Sequence, residues 1–268
     1  MNVKKILILI NTIISIFSSH ISYANLQISN GKTVPQGKYP FFVALGLKSQ
    51  KIDQKFGGGC GGSLIAPNWV ITARHCVKAY SATEQKVAVG SADLSDPTSY
   101  QSANVTKVFY VNPEMPGPCT PGKDIALLKL DRNITLPPIR LSVDKPSSRL
   151  ATTIGQGEMN EAHEIPPVVK EVDIPVTFDE SCDSPELHKY QLDLVPGKEL
   201  CAGSHTGSRK NIMSGDSGGP LIQNINGQYI LIGVTSRITT VDGKINSPSI
   251  FTSISYYYPW IMDIITKN

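Results

Sequence analysis

The sequence has no apolar stretch long enough to span a membrane. Its longest run, Ile6 to Phe17, covers about a dozen residues, where a helix needs roughly 20 to cross a bilayer. Charge of one sign is equally scarce. The net charge is +3 at pH 7 and the Lys and Arg residues are scattered, so no basic footprint points to nucleic acid or to an acidic membrane surface. The His-Glu-x-x-His pattern of a helical zinc peptidase is missing too: His163-Glu164 is followed by Ile165-Pro166-Pro167, which cannot put a second ligand one helical turn on. Internal repeats and low-complexity tracts do not occur, and through most of the chain neither does a helical period.

What the sequence does contain begins with an export signal. Lys4 and Lys5 precede the apolar run, and a polar stretch follows that ends Ser22-Tyr23-Ala24. This is the layout of a secretory signal peptide, with cleavage expected after Ala24 and no membrane anchor left afterwards. About 240 residues then remain, enough for one large β domain or two small ones. Export also places the chain where disulfides persist. Its five cysteines, Cys60, Cys76, Cys119, Cys182 and Cys201, are an odd number and leave one thiol over.

Short β-prone runs dominate the body of the chain: Phe41 to Leu47, Trp69 to Thr72, Val105 to Val111, Ile125 to Leu130 and Tyr229 to Thr235. Gly, Pro, Asn and Ser separate them, which predicts an all-β protein of antiparallel strands, as barrels or as a sandwich. The stretch from Pro137-Pro138 to Pro146-Ser147-Ser148 is the candidate connection between two halves. A helical period appears only at the end, over Ile254 to Ile265, where Trp260, Ile261, Ile264 and Ile265 share a face and Pro259 is expected in the first turn.

Three segments carry chemistry. Gly215-Asp216-Ser217-Gly218-Gly219-Pro220 is a glycine-flanked turn that holds a hydroxyl clear of bulky neighbours. A serine needs a base to take its proton and backbone N–H groups to receive the oxyanion formed on the attacked carbonyl. His75, in Val70-Ile71-Thr72-Ala73-Arg74-His75-Cys76, is a candidate base at a strand end. Asp124, in Asp124-Ile125-Ala126-Leu127-Leu128, is a candidate carboxylate at a strand start, suited to hold one imidazole tautomer and to stabilise the imidazolium.

With these three motifs in the order His, Asp, Ser, the chain resembles the trypsin/chymotrypsin family from Ile28 to Trp260. The resemblance implies two six-stranded antiparallel β-barrels, a cleft between them and a C-terminal helix. It implies a secreted serine endopeptidase acting on protein or peptide substrates, with His75 as base and acid, Asp124 as its orienter and Ser217 as nucleophile. Gly215 and Ser217 become the oxyanion N–H donors, and Ser236 a cleft residue touching the buried Asp. It pairs Cys60 with Cys76 and Cys182 with Cys201, each closure contributing about 3 kcal/mol, and leaves Cys119 as the odd thiol. Met213 stands where a further half-cystine often sits. No cofactor is implied. The same residues without turnover would make a secreted binding protein.

The resemblance further makes Ile28 the mature N-terminus, its ammonium pairing with Asp216. The intervening pro-segment is then Asn25-Leu26-Gln27, and because Gln27 replaces the usual basic residue, a separate activating peptidase is the expected partner. At the base of the primary specificity pocket stands Asn211, six residues before Ser217. A substrate cation buried there meets no countercharge, which argues against cleavage after Lys or Arg. Arg237 replaces the usual Trp after Ser236, while Ile238 and Ser249 occupy wall positions that are glycine in wide-pocket members. A preference for uncharged residues of small to medium size, or Gln, follows.

Overall fold

The computed structural model describes residues 31–49, 59–113, 120–146, 150–157, 167–177, 194–203, 212–238 and 248–268. Ile28, Cys119, Cys182 and Asn211 lie outside these segments, as does the export signal.

After a two-residue strand β1 (Lys32–Thr33), six strands close a first barrel. They are β2 (Phe42–Leu47), β3 (Cys60–Ala66), β4 (Trp69–Thr72), β5 (Gln85–Val89), β6 (Gln101–Tyr110) and β7 (Ala126–Leu130). Around the barrel they run β2-β3-β4-β7-β6-β5, and the β5–β2 pairing, Val43 opposite Val89, shuts the ring. Every pairing is antiparallel. Closure removes the exposed edges that would otherwise invite aggregation. All four residues of β4 are buried, because one face of this strand fills the barrel while the other packs outside it.

A second barrel follows, built from β9 (Leu150–Gly155), β10 (Lys170–Thr177), β11 (Glu199–Ala202), β12 (Pro220–Ile225), β13 (Gln228–Arg237) and β14 (Ser249–Ser253). Their order β10-β11-β14-β13-β12-β9 is closed by the β9–β10 ladder from Lys170–Gly155 to Pro175–Leu150. The short β8 (Arg140–Leu141) lies in the connection between barrels and pairs in parallel with β13, while β1 pairs with β10. The expected connection is thus where the chain crosses over, anchored by buried Ile134 and Ile139.

Two clusters of apolar side chains hold this together. One lies inside the second barrel around Ile174, Leu221, Ile232 and Phe251. The larger fills the first barrel and continues through Ile154, Ile222, Leu231 and Val234 of the second, so the barrels share one core.

A one-turn helix, α1 (Arg74–Val77), follows β4, and the chain ends in α2 (Ile254–Lys267). Helix α2 buries Ile254, Tyr257 and Ile261, with Trp260, Ile264 and Ile265 partly covered on the shared core, as the period predicted. The position of Pro259 requires correction. Because the helix starts at Ile254, this proline sits in the second turn. Lacking an N–H, it cannot bond the Ser255 carbonyl four residues back, a loss tolerated where the packed face supplies the stability.

Candidate active site

The β4 run ends at Thr72, and the chain turns into α1, which carries His75 at the cleft rim. Cys76 in the same turn is bonded to Cys60 at the start of β3, with a sequence separation of 16. The residue beside the imidazole is thereby fastened to a barrel strand. Cys201 is also disulfide-bonded, to a residue outside the described segments. The grouping of Cys60, His75 and Cys76 offers no metal site, because both sulfurs are consumed in the disulfide.

Asp124 lies two residues before β7 with its side chain 1% exposed. Its carboxylate accepts the backbone N–H of His75 at 2.9 Å and pairs with His75 Nδ1 at 2.7 Å. An ionised carboxylate can only accept, so Nδ1 carries the proton, while Nε2 lies 3.7 Å from Cys76 Sγ. Ser236 Oγ donates to Asp124 Oδ2 at 2.7 Å, and Thr252 Oγ1 donates to the Asp124 carbonyl at 2.9 Å. Ser236 and Thr252 belong to the second barrel, while His75 and Asp124 belong to the first. The predicted Ser236 contact with the buried Asp is therefore present.

Ser217 is half-buried on the turn before β12. Its carbonyl accepts the Gly61 N–H of β3 at 2.7 Å, and the next N–H, that of Gly218, bonds Thr235 O at 2.8 Å. Gly218 has φ +76°, and a Cβ there would lie 2.3 Å from Thr72 Oγ1 and 3.1 Å from Ala73 N. Only glycine permits this approach, which brings the serine turn against the residues that lead into His75. Among the described residues no hydrogen bond joins Ser217 Oγ to the imidazole, and no backbone acceptor takes the N–H of Gly215 or Ser217.

Asp216 is fully buried and accepts the Gly157 N–H at 2.7 Å and the Met213 N–H at 2.8 Å. Desolvation pushes its pKa up to about 7, against the opposing pull of those two hydrogen bonds. Gly155 and Gly157, which the sequence reading passed over, make room for it: a Cβ on either would fall within 2.6 Å of its oxygens. Of the expected pocket residues, Ser249 is buried on β14 and Ile238 packs partly against the second-barrel core.

A further polar group went unnoticed in the sequence. The Glu199 carboxylate, with no exposure, accepts two hydrogen bonds from Arg237, at 2.5 and 2.9 Å, and the N–H groups of Gly122 and Val195 at 2.8 and 2.9 Å. Tyr257 in α2 donates its hydroxyl to the Gly122 carbonyl. The unusual residue at 237 was the available signal, since a buried Arg demands a buried partner.

Two closed antiparallel barrels with a C-terminal helix, a buried His75–Asp124 pair and a glycine-flanked serine turn packed against the lead-in to His75 define the class. The trypsin family model matches residues 28–261, and the chain belongs to that family. It is 30% identical over 247 residues to serine proteinase stubble of Drosophila melanogaster, covering 88% of this chain and 31% of that protein. Ovochymase-2 of Mus musculus is 31% identical over 255 residues, covering 88% of this chain and 40% of its own length. Chymotrypsin-like elastase family member 1 of Canis lupus familiaris is 30% identical over 253 residues, 91% of this chain and 94% of that protein. The chain thus spans less than half of the first two relatives and nearly all of the third.

Proposed function

We propose that the chain is a secreted serine endopeptidase, cleaving peptide bonds through an acyl-enzyme on Ser217. What supports this reading is the His75–Asp124–Ser236 hydrogen-bonded chain, together with the close approach of Gly218, next to Ser217, to the Thr72–Ala73 lead-in to His75. In the first step His75 Nε2 takes the Ser217 proton as Oγ attacks the carbonyl carbon. The N–H groups of Gly215 and Ser217 receive the oxyanion, and Asp124 stabilises the imidazolium. The imidazolium then protonates the leaving amine. Water, deprotonated by the same nitrogen, hydrolyses the ester.

Secretion rests on the segment ending at Ala24, and activation on cleavage before Ile28 by another peptidase, so that the new ammonium meets Asp216. A cation is what that site calls for, because burial lifts the carboxylate's pKa to about 7 even against two N–H groups that lower it. Cys182 is the proposed partner of Cys201. Asn211, Ile238 and Ser249 line a pocket for uncharged side chains of small to medium size, or Gln, and substrates are proteins or peptides.

One experiment tests the core of this. An organophosphonate fluoride probe is expected to label the mature protein on Ser217 at pH 7 to 9, and a Ser217→Ala variant to stay unlabelled. Absence of labelling from protein whose N-terminus is sequenced as Ile28 would instead favour a binding protein without turnover. Peptide-library cleavage by the same preparation reads the pocket: dominant turnover after Arg or Lys would overturn the assignment of Asn211.

A further inference from the structure

Glu199 is a buried anion that the acyl-transfer steps leave unused. An ionised group taken out of water is tolerated only when paired and fully hydrogen-bonded. Here four donors meet the carboxylate, two from the fork of Arg237 and one each from the Gly122 and Val195 backbones. A planar guanidinium meeting both oxygens is the most directional ion pair available to side chains. The Arg237 side chain is only 15% exposed.

The two ends of the pair attach next to the two groups that hold His75 in place. Arg237 directly follows Ser236, which donates to Asp124 Oδ2. Gly122, which donates to Glu199, stands two residues before Asp124. The contacts therefore form a closed circuit. It runs from the Asp124 carboxylate to Ser236, along the chain to Arg237, across to Glu199, across again to Gly122, and back along the chain to Asp124. Tyr257 of α2 and Thr252 of β14 pin the carbonyls of Gly122 and Asp124. In such a loop no member shifts without stretching the others. The charged link resists stretching most, because breaking it strands a buried carboxylate.

We propose that Glu199 and Arg237 are a positioning pair for Asp124, a role that rests on the reading of Asp124 and His75 as catalytic. Their work is to hold the Gly122–Asp124 segment of one barrel in register with the Ser236 end of β13 in the other. The carboxylate then meets Nδ1 without having to be reordered in each turnover. An aromatic side chain at 237 would give the cleft a wall; the arginine gives it a tie.

The test compares wild type with Arg237→Met, Arg237→Lys and the neutral double variant Arg237→Met/Glu199→Gln. Three readouts are taken: kcat and KM on a short neutral peptide, the acid limb of kcat, and the low-field proton resonance of the His75–Asp124 hydrogen bond. Arg237→Met is expected to lower kcat about tenfold with KM changed less than about threefold, since misplacing a catalytic group costs turnover before it costs binding. Its acid limb moves to lower pH, because a poorly aligned carboxylate stabilises the imidazolium less, and the low-field resonance broadens or shifts. Arg237→Lys keeps the charge without the two-pronged contact and is expected to recover kcat only in part. The double variant leaves no stranded charge, so it keeps the test open if Arg237→Met does not fold, and it is expected to show the same kinetic and spectral changes. Wild-type kcat, acid limb and resonance in a folded Arg237→Met or double variant overturn the proposal. A rise in KM for extended peptides alone would make residue 237 a wall of the substrate cleft. Should wild type neither label nor hydrolyse, the endopeptidase reading fails by itself, while the resonance still reports whether the pair aligns Asp124.

Discussion

At the scale of single residues, the tightest constraint falls on Asp216. Its folded pKa of about 7 lies above the ordinary 3.8, so the folded chain binds more protons than the unfolded one across that interval. Stability must therefore fall as pH rises from 4 toward 7, and above 7 the carboxylate stays ionised with only two N–H groups to meet it. A cation entering the site reverses the sign of this contribution, since it lowers the folded pKa. Two forms of a Ser217→Ala variant, one beginning before Ile28 and one at Ile28, should then differ. Melting temperature is expected to drop between pH 4 and 7 in the longer form and to hold or rise in the shorter. Parallel curves would show that the new terminus does not reach Asp216. The residue was legible beside Ser217; its cradle was not, because Gly155 and Gly157 lie some 60 residues away and acquire meaning only when the barrel closes.

At the scale of elements, apolar runs located the strands well and their ends poorly. Trp69 to Thr72 is β4, whereas Val105 to Val111 is the middle and end of a longer strand, Gln101–Tyr110, whose polar half carries no apolar signal. The period places helix α2 from Ile254, where it starts, and only the expectation of Pro259 in its first turn fails, because the helix already runs one turn before that proline. Helix α1 is a single turn that cannot stand alone, and the Cys60–Cys76 bond supplies what its length does not. Replacing both cysteines by serine is expected to lower unfolding stability by about 3 kcal/mol, read from the urea midpoint. Turnover should fall further than the folded fraction accounts for, because His75 rides on that turn. An unchanged midpoint would mean the turn is held by packing alone.

At the scale of the whole molecule, the site exists only where two barrels meet. The motifs pointed to His75 and Asp124, which pair, yet contacts that join one barrel to the other leave no local pattern. Glu199 and Arg237 pair within the second barrel, 38 residues apart on β11 and β13, and it is the Gly122 N–H bonding Glu199 that ties this pair to the first barrel; only the odd arginine hinted at them. Ser236 is the most direct of these ties, its hydroxyl crossing the cleft to a carboxylate that water cannot reach. Removing a donor from a buried anion costs about 1–3 kcal/mol, more than a neutral pair would lose. Ser236→Ala is therefore expected to lower the melting temperature and kcat together, with Ser236→Thr, which keeps the hydroxyl, close to wild type in both. A drop in kcat without loss of stability would mean that the hydroxyl tunes the carboxylate without tying the barrels. A drop in stability alone would mean that Asp124 keeps its aim without it, leaving the alignment to the Glu199–Arg237 link and the two backbone ties from Thr252 and Tyr257.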